Sequence, residues 1–104
     1  MDIIIIYCTV PDNDVALAIA NHLVNNKLAA CVNIVGGLMS VYSWKNEICN
    51  DSELLLIIKT KKDLYHEVEL SIKALHPYEI PEIIALPIVS VSNDYAEWIN
   101  SVTK

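Results

Sequence analysis

Ile3-Ile4-Ile5-Ile6-Tyr7 reads as a β-strand with no polar side. Its β-branched side chains and closing aromatic favour an extended, pleated backbone. A short apolar run without alternation belongs to a strand covered on both faces. Leu54-Leu55-Leu56-Ile57-Ile58 repeats the pattern in the second half of the chain. Whatever fold the chain adopts must shield both.

Working outward from the first strand, Pro11 to Asp14 supply helix-start signals. Proline suits a first turn, and Asp12 and Asp14 set negative charge at the positive end of the helix dipole. Val15, Ile19 and Leu23, with Ala16 and Ala20 beside them, form one apolar face up to about Asn26. Leu28 to Val35 reads as a second strand, resumed from Leu38 to Trp44 after Gly36-Gly37. The glycine pair is a bulge or kink in one long strand, with a tight hairpin turn as the alternative. Asn46 to Asp51 reads as a polar turn before the Leu54 to Ile58 strand. Thr60-Lys61-Lys62-Asp63 fits a capping box opening a second helix, whose apolar stripe is Leu64, Val68, Ile72 and Leu75.

The heptad His76-Pro77-Tyr78-Glu79-Ile80-Pro81-Glu82 follows. Pro77 disfavours helical geometry at His76 and ends the helix there. Pro81 cannot donate a ladder hydrogen bond, so it fits the start of a strand. Ionisable groups and a tyrosine thus sit on a short, stiff connector, where binding chemistry concentrates. Ile83 to Val89 is a fourth strand, and Pro87 inside it implies an edge or a bulge. Ser92-Asn93-Asp94 caps a last helix carrying Tyr95, Trp98, Ile99 and Val102 on one face.

The order is βαββαβ plus a terminal helix, an α+β, ferredoxin-like arrangement within a single domain spanning 1–104. Its antiparallel sheet carries two helices on one face. An antiparallel sheet with one wet face should alternate apolar and polar residues. The first and third strands do not. Leaving about half a dozen Ile and Leu side chains in water would forgo ~10 kcal/mol, at ~1.5–3 kcal/mol each. A domain of this size is stable by only ~5–15 kcal/mol in all. The expected solution is an obligate oligomer in which sheets pack on sheets, with the Leu38 to Trp44 extension pairing with a neighbour's edge.

Composition narrows the function classes. The net charge is −6 and no arginine is present. Both argue against nucleic acid, whose phosphates call for clustered Lys and Arg, and against phosphoryl transfer. The hydrophobic fraction is 54%, yet no apolar run approaches a membrane span. Asp2 follows the initiator in place of a basic leader, so the expected location is cytoplasmic. Cys8, Cys31 and Cys49 are odd in number and widely spaced, which fits reduced thiols and encodes neither a redox pair nor a zinc knuckle.

Alternating the elements up and down places Cys8 and His76 at one end, with Tyr78, Glu79, Glu82 and the acidic start of the first helix. Thiolate suits Cu(I) and imidazole suits copper generally, so this end is a candidate copper site. The bland readings are a buried strand-end thiol for Cys8 and a dipole-facing C-cap for His76. Cys31 and Lys59 belong at the opposite end. There the lysine could lower the thiol pKa and make a nucleophile, the one argument for an enzyme. A core thiol and a solvated lysine form the plainer alternative. Trp44, at the tip of the long strand, is placed to line a cleft between subunits or simply to pack.

These residues resemble the CutA family of divalent-cation tolerance proteins over almost the whole chain. The matching pieces are Cys8-Thr9 with Pro11-Asp12, Leu28-Ala29-Ala30-Cys31-Val32-Asn33, and Ser40-Val41-Tyr42-Ser43-Trp44-Lys45. Ile58-Lys59-Thr60, the heptad, Ala85-Leu86-Pro87 and Tyr95-Ala96-Glu97-Trp98 follow in the same order. The resemblance implies a tight cytoplasmic homotrimer built like PII signalling proteins and linked to copper and other divalent metals. It implies metal ligands at Cys8 and His76. A second histidine expected just before the latter is Leu75 here. The function it implies is a non-enzymatic, metal-responsive protein with an intersubunit cleft lined by Cys31, Trp44, Lys59, Tyr78 and Glu79. The alternative is a PII-like small-molecule sensor using the same cleft.

Overall fold

The computed structural model describes residues 2–104. Four strands form one sheet in the order β2-β3-β1-β4, every neighbouring pair antiparallel. They are β1 (Ile3–Val10), β2 (Cys31–Trp44), β3 (Glu47–Lys61) and β4 (Ile84–Pro87). Three helices accompany them, α1 (Asn13–Asn25), α2 (Tyr65–Leu75) and α3 (Asn93–Val102). The sequence therefore placed every main element in the right order.

One face of the sheet carries the core. Ile4, Ile6, Cys8 and Val10 of β1 and Leu56 and Ile58 of β3 meet Ala16, Ile19 and Leu23 of α1 and Val68 and Ile72 of α2. The other face is thinly covered. A small second cluster joins Ile3 and Ala30 to Ile99 of α3, at one end only. Ile5, Tyr7, Leu55 and Ile57 stay half-buried. The unbroken apolar runs are thus explained on the helix side and left partly wet on the other.

Local chemistry sets the element ends. The Asp12 carboxylate caps α1 by accepting from the Val15 N–H at 2.9 Å, and the Ser92 hydroxyl caps α3 by accepting from the Tyr95 N–H at 3.3 Å. The capping box expected at Thr60 does not form. Thr60 belongs to β3, and its buried hydroxyl donates to the Leu28 carbonyl at 2.6 Å. A 3-10 turn, Lys62–Leu64, leads into α2, which starts without a side-chain cap. Leu75 ends α2 beyond the reach of the core and is exposed rather than part of the buried stripe.

The long hairpin differs most from expectation. Gly36-Gly37 is a bulge, with register shifting between Val35/Leu55 and Leu38/Glu53. Gly37 lies at φ +77, where glycine is favoured. The polar Asn46 to Asp51 segment is mostly strand. Only Lys45 and Asn46 turn, both at positive φ, the geometry of a two-residue hairpin turn. Its polarity reflects exposure to water on both faces, not irregular backbone. β2 starts at Cys31 and not Leu28, because Leu28 and Ala29 cap the end of α1 through bonds to the Leu23 carbonyl. β4 holds the edge position that Pro87 implied, but it spans only Ile84–Pro87 and not the Ile83 to Val89 run read from the sequence, because among the described residues none beyond Pro87 pairs with β1.

Candidate functional site

The heptad is held by its histidine. His76 follows α2 in extended backbone, as Pro77 dictates, and its side chain turns back toward β1. Nε2 lies 2.8 Å from the Thr9 carbonyl, and Nδ1 accepts the Tyr78 N–H at 3.2 Å. A carbonyl can only accept and an amide N–H can only donate. The ring is therefore the neutral tautomer with its proton on Nε2, and both nitrogens are engaged. The Tyr78 ring packs against it at a tilt of 52°, centroids 4.6 Å apart, and its hydroxyl donates to Glu53 at 2.7 Å. Burial first, then that carboxylate, raise the Tyr78 pKa.

Glu53 is 7% exposed. It sits opposite Leu38, immediately past the bulge. With Trp44, Tyr78, Glu79, Glu82 and Lys45 it lines a groove of about 830 Å³ between the hairpin and the heptad. Tyr42, also on this wall, donates its hydroxyl to Asp51, the main reason its pKa is pushed up to about 12. The Lys45 ammonium lies 5.6 Å from the centre of the Trp44 ring.

Cys8 lies beneath this groove but does not open into it. It is fully buried, inside β1 and not at its end, with only a weak contact from Sγ to the Thr9 carbonyl at 3.7 Å. Burial, then the Glu82 and Glu53 carboxylates, push its pKa up to about 12. A neutral thiol and an imidazole with no free lone pair are not the donor set a copper ion selects. As folded, Cys8 and His76 do not fit the ion. Among the described residues no group of three or more His, Cys, Asp or Glu is gathered to hold a metal.

The five residues assigned to a cleft divide. Trp44, Tyr78 and Glu79 share the groove. Cys31 and Lys59 are cross-strand partners at the far end of the β2–β3 ladder, with the Lys59 ammonium 5.9 Å from the Tyr95 ring centre. Cys31 and Trp44 are the two ends of a 14-residue strand, about 40 Å apart at ~3.3 Å per residue. One copy of the chain cannot place them in one cleft. Glu53 escaped sequence reasoning because its polar neighbours made the segment look like a turn. The one usable signal was a lone carboxylate abutting the Leu54 to Ile58 run.

The sheet order, the latched heptad and the acidic, aromatic groove define a small α+β protein with a four-stranded antiparallel sheet. The family model for CutA1 divalent ion tolerance protein matches residues 4–102. The chain belongs to this family. It is 46% identical to the divalent-cation tolerance protein CutA of Thermus thermophilus, over 95% of this chain and 96% of that one. It is likewise 46% identical to the chloroplastic protein CutA of Arabidopsis thaliana, where it spans 97% of its own length but 56% of the plant protein. The solved Cut A1 from Thermus thermophilus superposes with a TM-score of 0.95 at 45% identity, covering 98% and 99% of the two chains. CutA1 from Oryza sativa does so with a TM-score of 0.96 at 42% identity, covering 100% and 95%.

Proposed function

We propose that this chain serves divalent-cation tolerance as a cytoplasmic homotrimer whose ligand is received at the heptad end of the fold. The observation that supports this most is the groove itself. A buried carboxylate, two further acidic residues and three aromatic rings converge there beside a connector latched to β1. The trimer is supported by what one copy leaves exposed. Met39, Val41 and Ile48 on the hairpin, Ile84 on β4, Val89 beyond it and Trp98 on α3 all face water. Such surface is expected at a subunit interface. A neighbour would also bring Cys31 and Lys59 to another copy's groove, the shared cleft that one chain lacks. Copper at Cys8 and His76 belongs to this proposal only if the ring gives up its bonds to Thr9 and Tyr78, at a cost of ~1–3 kcal/mol for each group left unpaired. A relative from Archaeoglobus fulgidus is described as periplasmic. For this chain the cytoplasm is favoured by three free thiols.

The test is a calorimetric titration of chelator-treated protein with Cu(II) and other divalent ions, subunit mass being followed by sedimentation. The expected result is a particle of three subunits that binds metal, with binding lost in the Cys8→Ser, His76→Ala double variant. A folded monomer would overturn the assembly. Unchanged metal binding in the double variant would remove those two ligands.

A second reading has its own observation. The groove is roomy and its aromatic walls suit an organic molecule better than a bare ion, which favours a small-molecule sensor in the PII manner.

A further inference from the structure

We propose that the groove between the hairpin and the heptad binds a small organic ammonium ion. This inference rests on the second reading above, that the groove is a ligand site, and names the chemistry of its ligand.

The argument starts from hydrogen-bond accounting. The two tyrosine hydroxyls of the wall are already spent on carboxylates, Tyr78 on Glu53 and Tyr42 on Asp51. The backbone N–H of Tyr78 is spent on His76. Besides the Thr9, Ser40 and Ser43 hydroxyls, which can donate or accept, what remains for a ligand is acceptor and π surface: Glu53, Glu79 and Glu82, and the rings of Tyr42, Trp44 and Tyr78. The charge balance of this wall favours a ligand that brings positive charge and donors. An anion would meet three carboxylates with Lys45 as the single opposing charge that this chain itself places on the wall.

The geometry also separates an ammonium ion from a metal ion. A metal needs several donors converging on one point, and no such group exists among the described residues. An alkylammonium needs only a ring face and a nearby negative charge. The chain already shows the pairing. Lys45, fixed in a left-handed turn position at φ 50, holds its own ammonium over Trp44 at 5.6 Å. Lys45 is thus an internal stand-in for the ligand, and the two compete for one ring. Glu53 provides the charge at the groove's inner wall, where its burial strengthens its attraction for a cation. The 830 Å³ volume leaves room for a quaternary head and a short substituent.

The probe is choline, titrated calorimetrically into the full chain in its native assembly at low salt. Its neutral isostere 3,3-dimethylbutan-1-ol and the anion trimethylacetate serve as controls. Choline should bind saturably and the two controls should not. Trp44→Leu and Glu53→Gln should each weaken choline about tenfold, the scale of a desolvated cation–π contact or a lost charge. Trp44 stands at the hairpin end, outside both core clusters, so its variant should keep the fold. Lys45→Met should act oppositely and tighten choline severalfold by freeing the ring, a gain that general destabilisation cannot imitate. Equal binding of the alcohol would overturn the ammonium assignment while leaving the groove a ligand site. No saturable choline binding by either the native chain or Lys45→Met would overturn the proposal. The metal titration above is independent of both outcomes.

Discussion

The two halves of β3 are one continuous strand with opposite fates. From Leu54 to Lys61 it lies between β1 and β2 under α1 and α2, and Leu56, Ile58 and Thr60 are fully buried. From Glu47 to Ser52 it pairs with β2 alone, and Ile48 is 73% exposed. The inner half is hydrogen-bonded along both edges and the outer half along one. The halves differ further in what stands over the side chains. A two-stranded ribbon is marginal by itself, so the outer half depends on its turn, on cross-strand bonds such as Tyr42 to Asp51, and on a neighbouring copy. Glu53 marks the boundary, and the groove opens there.

The largest expected effect comes from a change in the inner half. Ile58→Ala should cost ~2–5 kcal/mol through lost burial and a cavity. Its effect on urea unfolding should be the same at every protein concentration. Ile48→Ala should alter a lone subunit by less than ~0.5 kcal/mol and act through assembly, so its effect should grow on dilution. A concentration-independent loss at Ile48 would break the contrast.

Thr60→Val comes next. It keeps the shape but leaves the Leu28 carbonyl without its 2.6 Å donor, at ~1–3 kcal/mol. A thermal melt as stable as the parent's would mean that water replaces the hydroxyl. The bulge sharpens the comparison at smaller scale. Gly37→Ala forces a side chain into φ +77 and should cost ~1 kcal/mol. Gly36→Ala meets nothing within 4 Å and should be nearly neutral. Equal losses at the two glycines would contradict the bulge geometry.

Thiol reactivity separates the halves without mutation. With its pKa pushed up to about 12 and its sulfur fully buried, Cys8 should resist iodoacetamide at pH 8 in the folded protein. The half-buried Cys49 on the outer hairpin should react first. Peptide mapping that finds Cys8 labelled early would show that the latch over β1 opens readily.

The smallest effect is expected at the surface pair of Lys73 and Glu69, 2.9 Å apart. The lysine holds the Glu69 pKa below its ordinary value. Whatever the pair contributes is present above the unfolded carboxylate range and fades as pH falls through the folded value. Lys73→Ala should therefore shift the melting temperature least of these variants at neutral pH, and less still in acid. A larger loss in acid than at neutral pH would reverse the sign.

The candidate site was partly legible. The heptad announced itself by two prolines around polar residues, and Trp44, Tyr78 and Glu79 do line one groove. Glu53 was missed because side-chain polarity alone cannot separate a solvated strand from a loop. Cys31 and Lys59 lie at the far end of the ladder, where the alternation of elements placed them, and within one chain they do not reach the groove. Cys8 was placed at a strand end, but β1 runs two residues further.

The order of elements, the helix starts at Asp12 and Ser92, the stop at Pro77 and the edge position of Pro87 were determined by the sequence alone. Each follows from a residue's own backbone restriction or its nearest neighbours along the chain. The tertiary fold decided which face of each apolar strand is dry, that Thr60 bonds Leu28 and does not cap α2, that both His76 nitrogens are engaged, and that Glu53 faces Tyr78. The bonds from Thr60 to Leu28, from His76 to Thr9 and from Tyr78 to Glu53 join residues 25 to 67 apart, and distance in space is fixed only when the sheet closes.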